Sequence, residues 1–257
     1  MRFLKAGSIC WFAMIRAMPV AVVLGARNLG GAILDHLLAE GWTAAAVARS
    51  DDTLAKVRER GVSAIRADAS HPGELADALQ RARDELGGLD LVVNAVSASR
   101  PPAGSTTFGG GPVAEATVED FRGWTAAVAE QAFVFLSEGS RALRSAGGGG
   151  TLIQVTGGSV RRAMPGRALW SAGAQAARAL VQGAAQEGRE DGIHVALLIV
   201  DATIESPKTE AFTRGQPREA LADQADVARA VAYLAAQTPR AWSHELQLTP
   251  SGDRWVP

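Results

Sequence analysis

An apolar run, Pro19-Val20-Ala21-Val22-Val23-Leu24, leads into Gly25-Ala26-Arg27-Asn28-Leu29-Gly30-Gly31, and a stretch of helical period follows. Glycines in a strand-to-helix turn let backbone amides approach a phosphate, and the helix N-terminus favours negative charge there. The chemistry indicated is binding of a phosphorylated ligand, with Gly25, Arg27, Gly30 and Gly31 as the first candidate residues. A glycine-rich turn alone is weak evidence. Its place after a strand, at the opening of an amphipathic helix near the chain start, adds weight.

Groups able to move protons are sparse. The only tyrosine, Tyr233, stands among Val231, Ala232 and Leu234 in the last predicted helix, where core packing is expected. Lysine occurs only at Lys5, Lys56 and Lys208, and Lys208 alone lies where a loop could turn it toward a ligand crevice. His36 and His71 fall on the first helix and a loop, while His194 and His244 open strands at the opposite end. Glu130, Asp201 and Glu205 become useful acids or bases only if partly buried. Arg161, Arg162 and Arg167 make one loop basic, suited either to an anionic substrate or to solvent. The single Cys10 supports neither an internal disulfide nor a cysteine metal site, so metal is not expected and a reducing, cytoplasmic setting is.

Short β-branched or Ala/Val runs alternate with longer segments of helical period, the pattern of parallel strands joined by crossover helices. Seven strands are expected, near Val20 to Leu24, Thr43 to Val47, Ser63 to Arg66, Leu89 to Asn94, Thr151 to Val155, His194 to Val200 and Glu245 to Leu248. Ile33, Leu34, Leu37 and Leu38 form one helical stripe; Leu75, Leu79, Ala82 and Leu86 form another. Pro72 suits a helix start and Gly41 a helix end. The segment from Ser97 to Val113, with Pro101, Pro102, Gly104 and Gly109-Gly110-Gly111, reads as a long flexible connection and a candidate lid over the carboxyl ends of the strands.

With 257 residues, 47% of them apolar, and a net charge of −1, the chain can bury one large core and has no bulk charge for nucleic acid. No apolar run approaches the roughly 20 residues of a membrane span. Residues 19–257 read as one domain, and residues 1–18 as an extension added to it.

Several segments after residue 18 resemble the short-chain dehydrogenase/reductase family, whose turn reads Gly-x-x-x-Gly-x-Gly. Gly25 and Gly31 match its outer glycines; Leu29 stands at the middle one, with Gly30 beside it. The resemblance implies a Rossmann-type α/β fold, a doubly wound, seven-stranded, mostly parallel sheet with helices on both faces. It also implies a nicotinamide cofactor. Arg49, after the second strand, favours NADP(H), and Asp68 matches the acid that contacts adenine. Asn94 matches the strand-four motif, with Ser97 in place of its glycine, and Ile204 matches a residue facing the carboxamide, with Ala202 replacing a glycine. Relatives generally assemble through helices and the final strand, so a homodimer or homotetramer acting on a small molecule is implied.

The family moves its proton with a Tyr hydroxyl whose pKa is lowered by a Lys four residues later. Aligning Arg178-Ala179-Leu180-Val181-Gln182 with the matching helix puts Trp170 at the Tyr position and Ala174 at the Lys position. An indole donates one hydrogen bond but exchanges no proton. The family Ser falls on Gly157, with Thr156 and Ser159 nearby, and the family Asn falls near Glu130. Three readings follow: an atypical NADP(H)-dependent oxidoreductase using another group or a water; a cofactor-independent cyclase, isomerase, lyase or pericyclic catalyst in the old crevice; and a catalytically silent binding or assembly protein.

Overall fold

The computed structural model describes residues 18–96 and 107–253. Ser97, Pro101, Pro102, Gly104 and almost all of the expected N-terminal extension lie outside these residues. The chain alternates strand and helix: β1 (Val20–Leu24), α1 (Leu29–Ala39), β2 (Thr43–Ala48), α2 (Asp51–Glu59), β3 (Ser63–Arg66), α3 (Pro72–Leu86), β4 (Leu91–Asn94), α4 (Val118–Thr125), α5 (Gln131–Ser145) and β5 (Thr151–Gly157). It continues through α6 (Ala168–Glu187), β6 (His194–Val200), β7 (Thr203–Ile204), α7 (Glu210–Thr213), β8 (Leu221–Ala222), α8 (Gln224–Ala235) and β9 (Glu245–Leu248).

Seven strands form one sheet in the order β3-β2-β1-β4-β5-β6-β9, and every neighbouring pair is parallel. Parallel strands covered on both sides need apolar residues on both faces, and β1 supplies them in alternation. Val22 and Leu24 join a core with α3, α5 and α6, while Ala21 and Val23 join a second core with α1 and α8. The expected stripes behave accordingly, with Ile33, Leu34, Leu37, Leu75, Leu79 and Ala82 buried.

The strand order reverses between β1 and β4, whose ends meet at Leu24 and Asn94. A doubly wound sheet opens its ligand crevice at such a point, outside the carboxyl ends of the strands. Beyond the expected strands, β7 and β8 pair as a separate two-stranded sheet in the excursion between β6 and α8. At two and two residues they are too short to leave a period-2 signal in sequence. Between α4 and α5 the helix widens into a π-helical turn over Ala126–Glu130, a distortion frequent at functional sites.

Candidate functional site

The glycine turn between β1 and α1 forms because two backbone approaches exclude side chains. Gly25 has φ +84°, and a Cβ there would lie 2.9 Å from the Val96 backbone at the end of β4. A Cβ on Gly30 would lie 2.3 Å from the Gly25 carbonyl oxygen. Gly30 is therefore the residue on which α1 closes against its own turn. Leu29 opens the helix half-buried, packed against the core under α1 and α8. Asn28, at the helix N-cap, makes no capping bond with its side chain, which leaves the first-turn amides without that partner.

Cations surround this turn. Arg27 is exposed on it, and Lys208 comes in from the segment after β7. Burial, and then the like charge of Arg27, hold the Lys208 ammonium below the usual lysine range. At the ends of β2 and β3, Arg49 donates to Asp68 Oδ2 at 3.1 Å. Burial works to raise the Asp68 carboxyl, but hydrogen bonds from Ser70 and Arg49 outweigh it and hold the group below its ordinary range.

Asn94 ends β4 wholly buried and fully engaged. Its Nδ2 donates to Gln131 Oε1 at 2.9 Å and to Gln154 Oε1 at 2.8 Å, and its Oδ1 accepts from Val96 N at 3.2 Å. The side chain thus ties β4, β5 and α5 together beneath the crevice.

The glycines at 109–111 pin the chain to α6. A Cβ on Gly109 would lie 2.9 Å from Arg167 Cα, and one on Gly110 would lie 2.6 Å from Leu169 Cδ2. Trp170 N donates to Gly109 O at 3.4 Å, and Gly111 N to Gly166 O at 3.1 Å. This corrects the expected flexible lid for its described part: these glycines permit close packing. They also set Phe108 over Trp170, with ring centroids 5.1 Å apart. Trp124 of α4 completes a three-ring cluster, 5.4 Å from Phe108 and 5.6 Å from Trp170 in edge-to-face geometry. The Arg167 guanidinium lies 5.6 Å from the Phe108 centroid.

A family model for short chain dehydrogenase matches residues 19–214. The chain belongs to the short-chain dehydrogenase family. Solved structures with this fold include an alcohol dehydrogenase from Thermococcus sibiricus complexed with 5-hydroxy-NADP, with a TM-score of 0.73 and 24% identity over 93% of this chain and 100% of that one. A short-chain type dehydrogenase/reductase from Mycobacterium ulcerans has a TM-score of 0.78 at 19% identity, over 90% and 88% of the two chains. The acetoin dehydrogenase from Enterobacter cloacae has a TM-score of 0.74 at 19% identity, over 93% and 99%. At these identities the likeness is one of fold. No curated relative matches the chain.

In this family member Trp170 stands half-buried on the first turn of α6, and Ala174, one turn later, is sealed in the core at 1% exposure. Gly157 ends β5; Thr156 and Ser159 flank it half-buried, and neither hydroxyl has a hydrogen-bond partner among the described residues. Glu130 is exposed, and its neighbour Gln131 is the residue that points inward to Asn94. The sequence placement was therefore one residue from the group that the helix buries. Ile204 sits in β7, half-buried, with its carbonyl accepting from the Thr209 hydroxyl at 2.6 Å.

Several other expectations need correction. Tyr233 is 58% exposed, because α8 turns Val227, Val231 and Leu234 inward and leaves position 233 on the outer face. The three arginines after β5 are held by the fold. Arg162 grips buried Asp201 through bonds of 2.8 and 3.2 Å, Arg161 reaches Glu245, and Arg167 covers Phe108. Asp201 is thereby an ion-pair partner, and Glu205 is exposed beside Arg218. The sequence reading missed Phe108, Trp124, Gln131 and Gln154. They belong to no motif, and only α4, α5, β5 and the segment before α4 meeting at α6 brings them together.

Proposed function

We propose that the protein is an NADP(H)-binding oxidoreductase of small molecules with an altered proton-transfer site. The observation that carries this reading is the Gly25–Gly30 turn with Arg27 and Lys208 beside it and Arg49 farther along the same edge. Two phosphate sites are served at once. The turn and its two cations suit a diphosphate, and Arg49, 56% exposed at its side chain, is free to exchange Asp68 for a ribose phosphate. The solved relative bound to 5-hydroxy-NADP has the same fold, which supports the assignment by analogy.

Bound NADP(H) would supply hydride. This chain's own residues would hold its adenosine and phosphate groups, and Asn94 would keep the ends of β4 and β5 in register below it. Trp170 and Ala174 provide neither a proton carrier nor a cation. The Thr156 and Ser159 hydroxyls, or a water held on them, are left to relay the proton. General acid–base assistance is worth about 10²- to 10⁴-fold, so the reading implies a slow reductase or one acting on an already reactive carbonyl.

The sealed Ala174 and the two rings packed on Trp170 favour a second reading, cofactor-independent cyclisation, isomerisation, elimination or pericyclic rearrangement, which relies on shape and a few polar groups. Calorimetric titration with NADPH and NADH, with nicotinamide fluorescence as a second signal, separates the two. The first reading expects micromolar NADPH, much weaker NADH, and about tenfold or greater loss of NADPH affinity in Arg49→Ala with NADH unaffected. No binding of either nucleotide overturns it and leaves the second.

A further inference from the structure

The three-ring cluster hides an unpaired polar pair. Trp124 is fully buried, and among the described residues its Nε1 has no hydrogen-bond partner; nor has the buried hydroxyl of Thr125 beside it. The two residues lie where α4 passes into the π-helical turn, against α6. A Cβ on Gly173 would meet Trp124 O at 3.1 Å and Thr125 Cα at 3.4 Å, so the helices touch one turn beyond Trp170. Buried side-chain donors nearly always find partners, because an orphaned one keeps its full desolvation penalty. Two adjacent orphans beneath an aromatic surface therefore point to a ligand that supplies what the fold does not.

The rings define the rest of that ligand. Trp170 and Trp124 meet edge to face, and Phe108, 42% exposed, lies tilted on Trp170 and edge to face with Trp124. The backbone at Gly109 and Gly111 is tied to α6, which fixes the segment that follows Phe108. A flat ring entering in its place would find aromatic neighbours at ordinary stacking or edge distances. The charge at the rim is the Arg167 guanidinium, which disfavours a cation. The orphan indole N–H and the hydroxyl both offer donors, which call for an acceptor.

We infer that the Phe108–Trp124–Trp170 cluster binds a flat, uncharged aromatic ring bearing a carbonyl, with Trp124 Nε1 and Thr125 Oγ1 donating to the carbonyl oxygen. The inference rests on the proposed oxidoreductase reading only in taking this ring as part of the substrate; the binding site itself uses none of the phosphate-turn residues.

The test is calorimetry on the full chain with 2-acetylnaphthalene, 2-ethylnaphthalene and trans-2-decalone, which respectively keep both features, lose the acceptor and lose the flat ring. The ketone is expected to bind at least about tenfold tighter than either control. Thr125→Val is expected to raise the melting temperature of the free protein, since it deletes an orphan hydroxyl, while weakening the ketone about tenfold and sparing 2-ethylnaphthalene. A purely structural threonine would not move stability and affinity in opposite directions. Trp170→Leu, as a second variant, should weaken both naphthalenes. Equal affinity for all three probes, no ketone binding below about 1 mM, or unchanged ketone affinity in Thr125→Val overturns the inference. The titrations are run with and without NADPH. Ketone binding without nucleotide binding refutes the oxidoreductase reading alone, and nucleotide binding without ketone selectivity refutes this inference alone.

Discussion

Trp170→Tyr combined with Ala174→Lys introduces a Tyr-x-x-x-Lys pair on the first turns of α6, and the packing predicts that the protein will not accept it. Ala174 is 1% exposed in the core formed with α5, β5 and β6. A lysine there must push a longer stem into filled space, at about 1–3 kcal/mol for overpacking. Its ammonium must also leave water or bend its way back to it, at about 2–4 kcal/mol more. Replacing Trp170 removes the indole from its contacts with Phe108 and Trp124, each worth about 0.5–1.5 kcal/mol beyond buried area. The sum, roughly 4–10 kcal/mol, rivals the whole stability of an ordinary domain. At about 2–4 °C per kcal/mol for a chain of this length, the melting temperature should fall by roughly 8–40 °C. Thermal unfolding followed by circular dichroism, on both single variants and the double, measures it. A double variant that melts with the parent and gains NADPH-dependent carbonyl reduction would refute the reasoning, because it would show that room for the lysine exists.

Other consequences are equally direct. Arg162→Met strands the Asp201 carboxylate, 7% exposed, with only the 3.3 Å contact from Gln247; because Arg162 itself is partly solvated, the loss should be about 2–3 kcal/mol in urea unfolding, and Asp201→Asn added to it should recover part of that loss. Gly30→Ala forces a Cβ into the Gly25 carbonyl, so it should displace α1 from the turn and weaken NADPH about tenfold or more, whereas unchanged affinity would remove Gly30 from the site. His194 is buried with its Nε2–H donating to Ser243 O, and burial, with His244 adding to it, lowers its pKa. The neutral ring is the folded form, so its contribution is complete above the unfolded value of about 6.5 and is lost as pH falls below it, by up to about 1.4 kcal/mol per pH unit. His194→Gln should flatten the stability profile between about pH 6.5 and 5, and an unaltered slope would exclude His194 as its source.

The sequence by itself determined the sheet and the glycine turn after β1. Both are local codes: strands buried on two faces must be apolar throughout, helices between them must repeat at 3.6, and a turn closing on its own carbonyl must be glycine. Val20–Leu24, Ile33, Leu37, Gly25 and Gly30 carry those requirements in consecutive positions, so their structure can be read without knowing what lies across the fold. The crevice floor was legible only in part. Trp170 and Ala174 were singled out by their types alone, and side-chain types say nothing about the space around them. That Ala174 is sealed, that Gly109 and Gly110 fasten Phe108 above Trp170, and that Trp124 and Thr125 are buried without partners among the described residues depends on segments 16 to 62 residues apart being packed together. The same holds for Tyr233, whose outward direction was fixed by how α8 rolls onto the sheet, and for Arg162, which tertiary contact turned from a surface cation into the partner of Asp201. Periodicity and turn chemistry act within a few residues, whereas burial and pairing are properties of a surface that exists only once the helices have docked.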